Sequence, residues 1–242
     1  MSGARYAVYW APEPATELAR FGAHWLGRDA ETGQAASALA PGLPASWERA
    51  TEEARHYGFH ATLKPPFRLR DGYTEAALDA ALEALCAELA AIDGVTFRLS
   101  ALDGFLALVP GSRLPELSDL ARRCVIALDE FRAPADAAEL ARRRAAGLTA
   151  RQEAMLTRWG YPYVLEEFRF HLTLTRRLSQ ETGAEIVNFL APHAEHACAV
   201  PLGIASLCLF VQEAPGAAFT VRRRVPLGIR PGTSVSGTTS AR

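Results

Sequence analysis

Phe59-His60-Ala61-Thr62-Leu63-Lys64 and Arg169-Phe170-His171-Leu172-Thr173-Leu174-Thr175 carry one phrase, His-x-Thr-Leu, at places about half a chain apart. Successive side chains of a strand point to opposite faces. As strands, the first stretch puts His60, Thr62 and Lys64 on one face and Phe59, Ala61 and Leu63 on the other. The second puts Arg169, His171, Thr173 and Thr175 on one face, against Phe170, Leu172 and Leu174. Each copy therefore has an apolar side for a core and a polar side bearing histidine, threonine and a cation. The repetition predicts two related lobes that each contribute a histidine and a hydroxyl to one site.

Working outward, residues 5–11 (RYAVYWA) read as a strand ended by Pro12, and residues 14–26 as a helix with Leu18, Phe21, Trp25 and Leu26 on its apolar side. Residues 33–47 read as a loop, and residues 56–64 as the first motif strand, stopped by Pro65-Pro66. A helix over 75–92 precedes a hairpin, 96–102 and 105–109, turned at Asp103-Gly104. Three helices follow, at 114–131, 135–146 and 149–159. The last opens on Thr149-Ala150-Arg151-Gln152, a capping-box pattern. Residues 169–176 form the second motif strand, 180–190 a helix, and 200–212 and 219–225 the last strands. Interleaved strands and helices on both sides of a helical block predict an α+β protein. Residues 1–227 form one domain with a helical insertion at about 133–160, and the Gly-, Ser- and Thr-rich 228–242 read as a disordered tail.

The bulk composition narrows the function. The 242 residues are 49% hydrophobic and 22% charged, with a formal net charge of −1. That balance disfavours a grip on long nucleic acid, which draws on a basic surplus. Cys86, Cys124, Cys198 and Cys208 show no metal or disulfide spacing. No basic segment leads into an apolar run at the N-terminus, and no stretch approaches 18 apolar residues, so the expectation is a cytoplasmic protein without a membrane partner.

The repeated phrase suits acid–base chemistry on a phosphate ester. Opening a phosphodiester needs one group to take a proton from the nucleophile and another to give one to the leaving oxygen. Histidine does either near neutral pH. Threonine hydroxyls donate to non-bridging oxygens, and Lys64 or Arg169 offsets developing negative charge. Thr175 shares the polar face, and Tyr9 joins the candidate lining if its strand neighbours a motif strand.

The pair of motifs resembles the signature of the two-histidine (2H) phosphoesterase superfamily, which includes RNA 2′,3′-cyclic phosphodiesterases and 2′–5′ RNA ligase-like proteins. The stretches RYAVYWAPEP (5–14), HYGFHATLKPPFRL (56–69) and RWGYPYVLEEFRFHLTLT (158–175) resemble a branch encoded beside phosphonate-degradation (carbon–phosphorus lyase) genes. The resemblance covers roughly residues 5–227. It implies a bilobed α+β fold whose two antiparallel sheets face a central cleft. It also implies His60 and His171 as the acid–base pair, Thr62 and Thr173 as phosphate holders, no metal or cofactor, and a ribose cyclic phosphate as substrate. An enzyme acting on RNA ends, or a non-catalytic module sensing a phosphorylated metabolite, are the alternatives; the partner in each case is a small phosphorylated sugar or nucleotide, and oligomeric state is left open.

Other residues carry weaker signals. His56 shares the nominal face of His60, but a solvated strand end is the favoured reading. His193 and His196 have a metal-like spacing beside Pro192, with no third ligand in view. His24 reads as structural. Arg222-Arg223-Arg224 divides evenly between phosphate contact and protection of an edge strand. Arg142-Arg143-Arg144 reads as a solvated helix face, with a second substrate phosphate as the minority reading.

Overall fold

The computed structural model describes residues 3–145 and 147–228. Apart from Gly228, the expected tail at 228–242 lies outside the described residues. The strands are β1 (Arg5–Trp10), β2 (Ala61–Phe67), β3 (Ile92–Val95), β4 (Phe97–Leu102), β5 (Phe105–Pro110), β6 (Leu172–Thr173), β7 (Leu202–Ile204), β8 (Ser206–Gln212) and β9 (Thr220–Pro226). The helices are α1 (Glu17–Leu26), α2 (Trp47–Tyr57), α3 (Glu75–Ala87), α4 (Pro115–Ala127), α5 (Ala137–Arg144), α6 (Ala150–Trp159) and α7 (Gln180–Ala197). The fold is α+β with antiparallel sheets. One sheet runs β4-β5-β6-β2-β1-β8-β9, and β3 pairs with β7 in a second. The motif strands β2 and β6 are neighbours near the middle of the larger sheet, so the two copies lie side by side.

β1 shows why the larger sheet has two different faces. Tyr6, Val8 and Trp10 enter the main core with Ala61, Leu63, Leu172 and Leu174. Apolar faces of α1, α3, α4 and α7 complete that core through Trp25, Leu82, Cys124 and Ile186 among others. Ala7, Tyr9 and Ala11 turn the other way and join a smaller cluster with Phe210 and Phe219. Burying large aliphatic and aromatic side chains on the first face supplies most of the drive to fold. The second face carries the smaller cluster and, next to it, the polar side of the motif strands. No helix among the described residues is long and apolar enough to cross a membrane.

Local signals explain most element ends. Thr16 accepts from Ala19 N to start α1, and Gly27 ends it at φ 67°, a conformation glycine adopts without a Cβ clash. The predicted capping box forms in full between Thr149 and Gln152. Several boundaries differ from expectation. His56 belongs to α2, which continues to Tyr57, so the first motif strand starts at Ala61. Pro65-Pro66 does not stop β2. Beyond Ala61 that strand pairs with β1 alone and is bulged there, so the missing N–H groups break no ladder. The helix expected over 75–92 ends at Ala87 because Ile92 begins β3. The stretch 169–176 keeps only Leu172–Thr173 as strand, and 200–212 divides between β7 and β8 in different sheets.

Candidate active site

Ala61 stands opposite Leu172 across β2 and β6, both buried in the main core. Opposite residues of an antiparallel pair project to the same face. One step either way therefore sets His60 against Thr173 and Thr62 against His171 on the face opposite that core. The two copies are related by a local twofold through the Ala61–Leu172 pair.

Both imidazoles are held alike. His60 Nδ1 lies 2.9 Å from the Gly58 carbonyl, and His171 Nδ1 lies 2.7 Å from the Arg169 carbonyl. A carbonyl oxygen only accepts, so each Nδ1 carries the proton and each neutral ring presents an unprotonated Nε2. In both cases the carbonyl belongs to the residue two before the histidine. Gly58 adopts φ 82°, and a Cβ there would lie 2.6 Å from the Ala30 Cβ, so glycine is required to turn α2 into this geometry.

The surroundings then diverge. The His60 ring stacks on Tyr9, with centroids 3.7 Å apart and planes 18° from parallel. Its Nε2 accepts from the Thr62 hydroxyl at 3.1 Å. The His171 ring lies 5.6 Å from Phe105, and its Nε2 and the Thr173 hydroxyl have no hydrogen-bond partner among the described residues. Burial, reinforced by the nearby His171, holds the His60 pKa down to about 4 against the weaker pull of the Gly58 carbonyl. Burial also lowers the His171 pKa; the Arg169 carbonyl opposes this and the Arg169 charge adds to it.

The other expected site residues separate. Lys64 is not brought to the histidines. A bulge between the Val8–Lys64 and Tyr9–Thr62 pairs breaks the alternation and turns Lys64 to the core face beside Val8. There it is 2% exposed, donates to the Val125 carbonyl at 3.1 Å and pairs with Asp129 at 3.4 Å. Thr175 is also withdrawn: its buried hydroxyl accepts from Leu106 N at 2.9 Å, taking the place of a ladder partner. Arg169 stays by the site, solvent-exposed and loosely paired with Asp103 at 3.5 Å. Tyr9 is buried beneath His60 and supports the ring instead of lining open space.

Arg222, Arg223 and Arg224 are occupied by ion pairs with Glu75 and Glu213, Asp79 and Glu83, and Glu13 and Glu31 respectively. His56 faces Gln212, His24 faces Ser37, and His193 packs on Phe189. Sequence reasoning missed Tyr57 and Phe105 as neighbours of the histidines. Tyr57 stands in a motif-flanking stretch, but an aromatic residue there fits a core equally well, and only tertiary contact separates the two roles.

Comparison with known proteins places the chain in a family. The family model described as "Protein of unknown function (DUF1045)" matches residues 62–220, and the chain belongs to that family. It is 42% identical over 229 residues to a protein of Janthinobacterium sp. (strain Marseille) named ribose 1,5-bisphosphate phosphokinase PhnN, across 92% of this chain and 50% of that one. A protein of the same name from Laribacter hongkongensis (strain HLHK9) is 39% identical over 236 residues, across 96% of this chain and 54% of that one. The chain thus spans about half the length of these curated relatives. Among solved structures it is similar to E. coli LigT complexed with NADP+, at 13% identity and a TM-score of 0.44, covering 94% of this chain and 99% of that one. The same protein complexed with 3′-AMP matches at 14% identity and a TM-score of 0.45, covering 92% and 97%.

Proposed function

We propose that the chain is a metal-independent phosphodiesterase that opens a small cyclic phosphate on a ribose-type sugar by two-histidine acid–base catalysis. The observation that carries this reading is the local twofold: two imidazoles, each fixed through Nδ1 to the carbonyl two residues earlier, offer Nε2 to one face. A phosphate between them meets a base on one side and an acid on the other. His60, held neutral by its burial, takes a proton from water as the water oxygen attacks phosphorus. His171, as imidazolium, gives a proton to the sugar oxygen as the P–O bond breaks. One water is consumed and a phosphomonoester and a free hydroxyl result. The negative charge of bound substrate favours protonation of His171, offsetting the effect of its burial. Thr173 donates to a non-bridging oxygen, Thr62 does so as its hydroxyl turns from His60 Nε2 and frees that nitrogen, and Arg169 adds positive charge at the open edge.

The name of the longer relatives supports a phosphorylated ribose as the substrate class. Their phosphokinase activity is not proposed for this chain. Many nucleotide-dependent phosphokinases cradle phosphates with Gly-x4-Gly-Lys-Ser/Thr. The one lysine in this sequence, Lys64, follows Leu63 and precedes Pro65, and is buried away from the histidines.

Phosphorus NMR of chelator-treated protein with ribose 1,2-cyclic phosphate, its 5-phosphate and nucleoside 2′,3′-cyclic phosphates tests the reading. Ring opening by wild type and not by His171→Ala is expected. Absence of turnover across the panel, or turnover abolished by the chelator, overturns it.

A further inference from the structure

Arg28 is a buried cation with no ion pair among the described residues. It follows Gly27, whose left-handed turn closes α1: Gly27 N donates to the His24 carbonyl at 3.3 Å and Arg28 N to the Ala23 carbonyl at 3.0 Å. From there the side chain crosses the end of α2. Its Nε donates to the Arg55 carbonyl at 3.0 Å. Its Nη2 donates to the Phe219 carbonyl at 2.7 Å and reaches the His56 carbonyl at 3.4 Å. Arg55 returns the contact, donating from Nε to the Leu26 carbonyl at 2.7 Å. Two guanidinium groups running in opposite directions thus tie the end of α1 to the end of α2.

Arg28 Nη1 is buried with no partner. A buried cation with an unmade hydrogen bond is unfavourable, so its presence needs a reason other than stability. The acceptors supply one. Arg55 and His56 lead into Gly58, whose carbonyl lies 2.9 Å from His60 Nδ1. A Cβ on Gly58 would lie 3.4 Å from Arg28 Nη2, so the fork rests against that residue. Phe219 packs beside Tyr9 and Tyr57, at 6.4 and 5.2 Å between centroids, and its N–H donates to the His56 carbonyl at 2.9 Å. One planar fork therefore gathers the segment that holds the His60 proton and a segment packed beneath the ring on which His60 stacks. A lysine, with a compact ammonium, cannot meet all of these carbonyls at once. Apart from His171 itself, no side chain donates to a carbonyl of residues 167–169 among the described residues, so the second histidine has no counterpart of Arg28.

We propose that Arg28 is a positioning residue for His60: by holding the carbonyls of Arg55, His56 and Phe219 it fixes the turn at Gly58, which keeps the proton on His60 Nδ1 and leaves Nε2 to act as the base. The effect passes through the Gly58 carbonyl and reaches one histidine of the pair. This rests on the reading of His60 as the group that takes the proton from water.

The test compares wild type, Arg28→Met and Arg28→Lys. Long-range proton–nitrogen NMR of the imidazoles reads each tautomer without requiring turnover, and steady-state kinetics use the cyclic phosphate that wild type opens best. Wild type is expected to show His60 neutral with its proton on Nδ1. In Arg28→Met the His60 ring should populate the Nε2-protonated tautomer while His171 keeps its wild-type signals. Its kcat should fall about 10²-fold with KM within about threefold of wild type. Arg28→Lys, which still donates to part of the carbonyl set, should recover part of both. A wild-type His60 tautomer and kcat in Arg28→Met overturn the inference, as do equal changes at both histidines, which mark a general fold defect. If Arg28→Met does not fold, Arg28→Lys decides: a shift confined to His60 upholds the inference, and signals identical to wild type overturn it. Turnover by wild type that neither variant alters removes Arg28 and leaves the catalytic reading intact. A tautomer change confined to His60, without turnover of any cyclic phosphate by wild type, keeps the hold on the ring and removes the catalytic reading.

Discussion

The two copies of His-x-Thr-Leu lie side by side in one sheet, yet their settings differ. The first copy stands in a seven-residue strand, backed by Tyr9, with its threonine engaged by its own histidine. The second stands in a two-residue strand, beside an exposed arginine, with its threonine hydroxyl unengaged among the described residues. The shared phrase supplies the same functional groups twice, and the packing around each copy gives them different surroundings. Burial lowers the pKa of both imidazoles, to about 4 at His60.

Deleting each ring tests that asymmetry most severely. His60→Ala and His171→Ala should each lower kcat by about 10²- to 10⁴-fold. The double variant should be little worse than either, because the two act as a unit. Multiplicative losses would show that the histidines work independently. The supports differ too. Tyr9→Ala should cost about 3–5 kcal/mol in chemical denaturation, by opening a cavity beneath His60, whereas Phe105→Ala, at a half-buried ring, should cost less than about 2 kcal/mol. Equal losses would erase the contrast between enclosed and open copies.

Acid stability sharpens the comparison further. With the His60 pKa at about 4 in the fold and about 6.5 in the unfolded chain, the unfolded state takes up a proton first as pH falls. The contribution is whole above about pH 6.5 and lost progressively toward pH 4, by up to about 3 kcal/mol. Urea midpoints across that window should show a shallower decline in His60→Ala than in wild type, and a smaller change in His171→Ala. The smallest effect belongs to Lys64→Met, which replaces a buried cation by an apolar chain of similar length. Stability should move by less than about 1 kcal/mol if Asp129, still paired with Arg132, tolerates the loss. Turnover should be unchanged, and a tenfold fall in kcat would return Lys64 to the phosphate.

Much of the fold was legible because period and punctuation agreed. The residues of β1, α1, the β4–β5 hairpin and the capping box of α6 carry local signals that no tertiary contact opposed. α2 was obscured because its Trp47–Tyr57 run is short on large apolar residues, and its buried side is made of Ala50, Thr51 and Ala54. Pro65-Pro66 misled because proline opposes a strand only where its N–H is needed.

The sequence by itself determined that two histidines and two threonines would share a polar strand face opposite apolar neighbours, since alternation is a property of the extended backbone. Only the tertiary structure decided that Ala61 would meet Leu172, that Lys64 would be turned inward by a bulge, and that Tyr9 and Tyr57 would gather around the first histidine. Strand register, bulges and the landing of an inserted helix depend on contacts between residues far apart in the chain, and no local period records them.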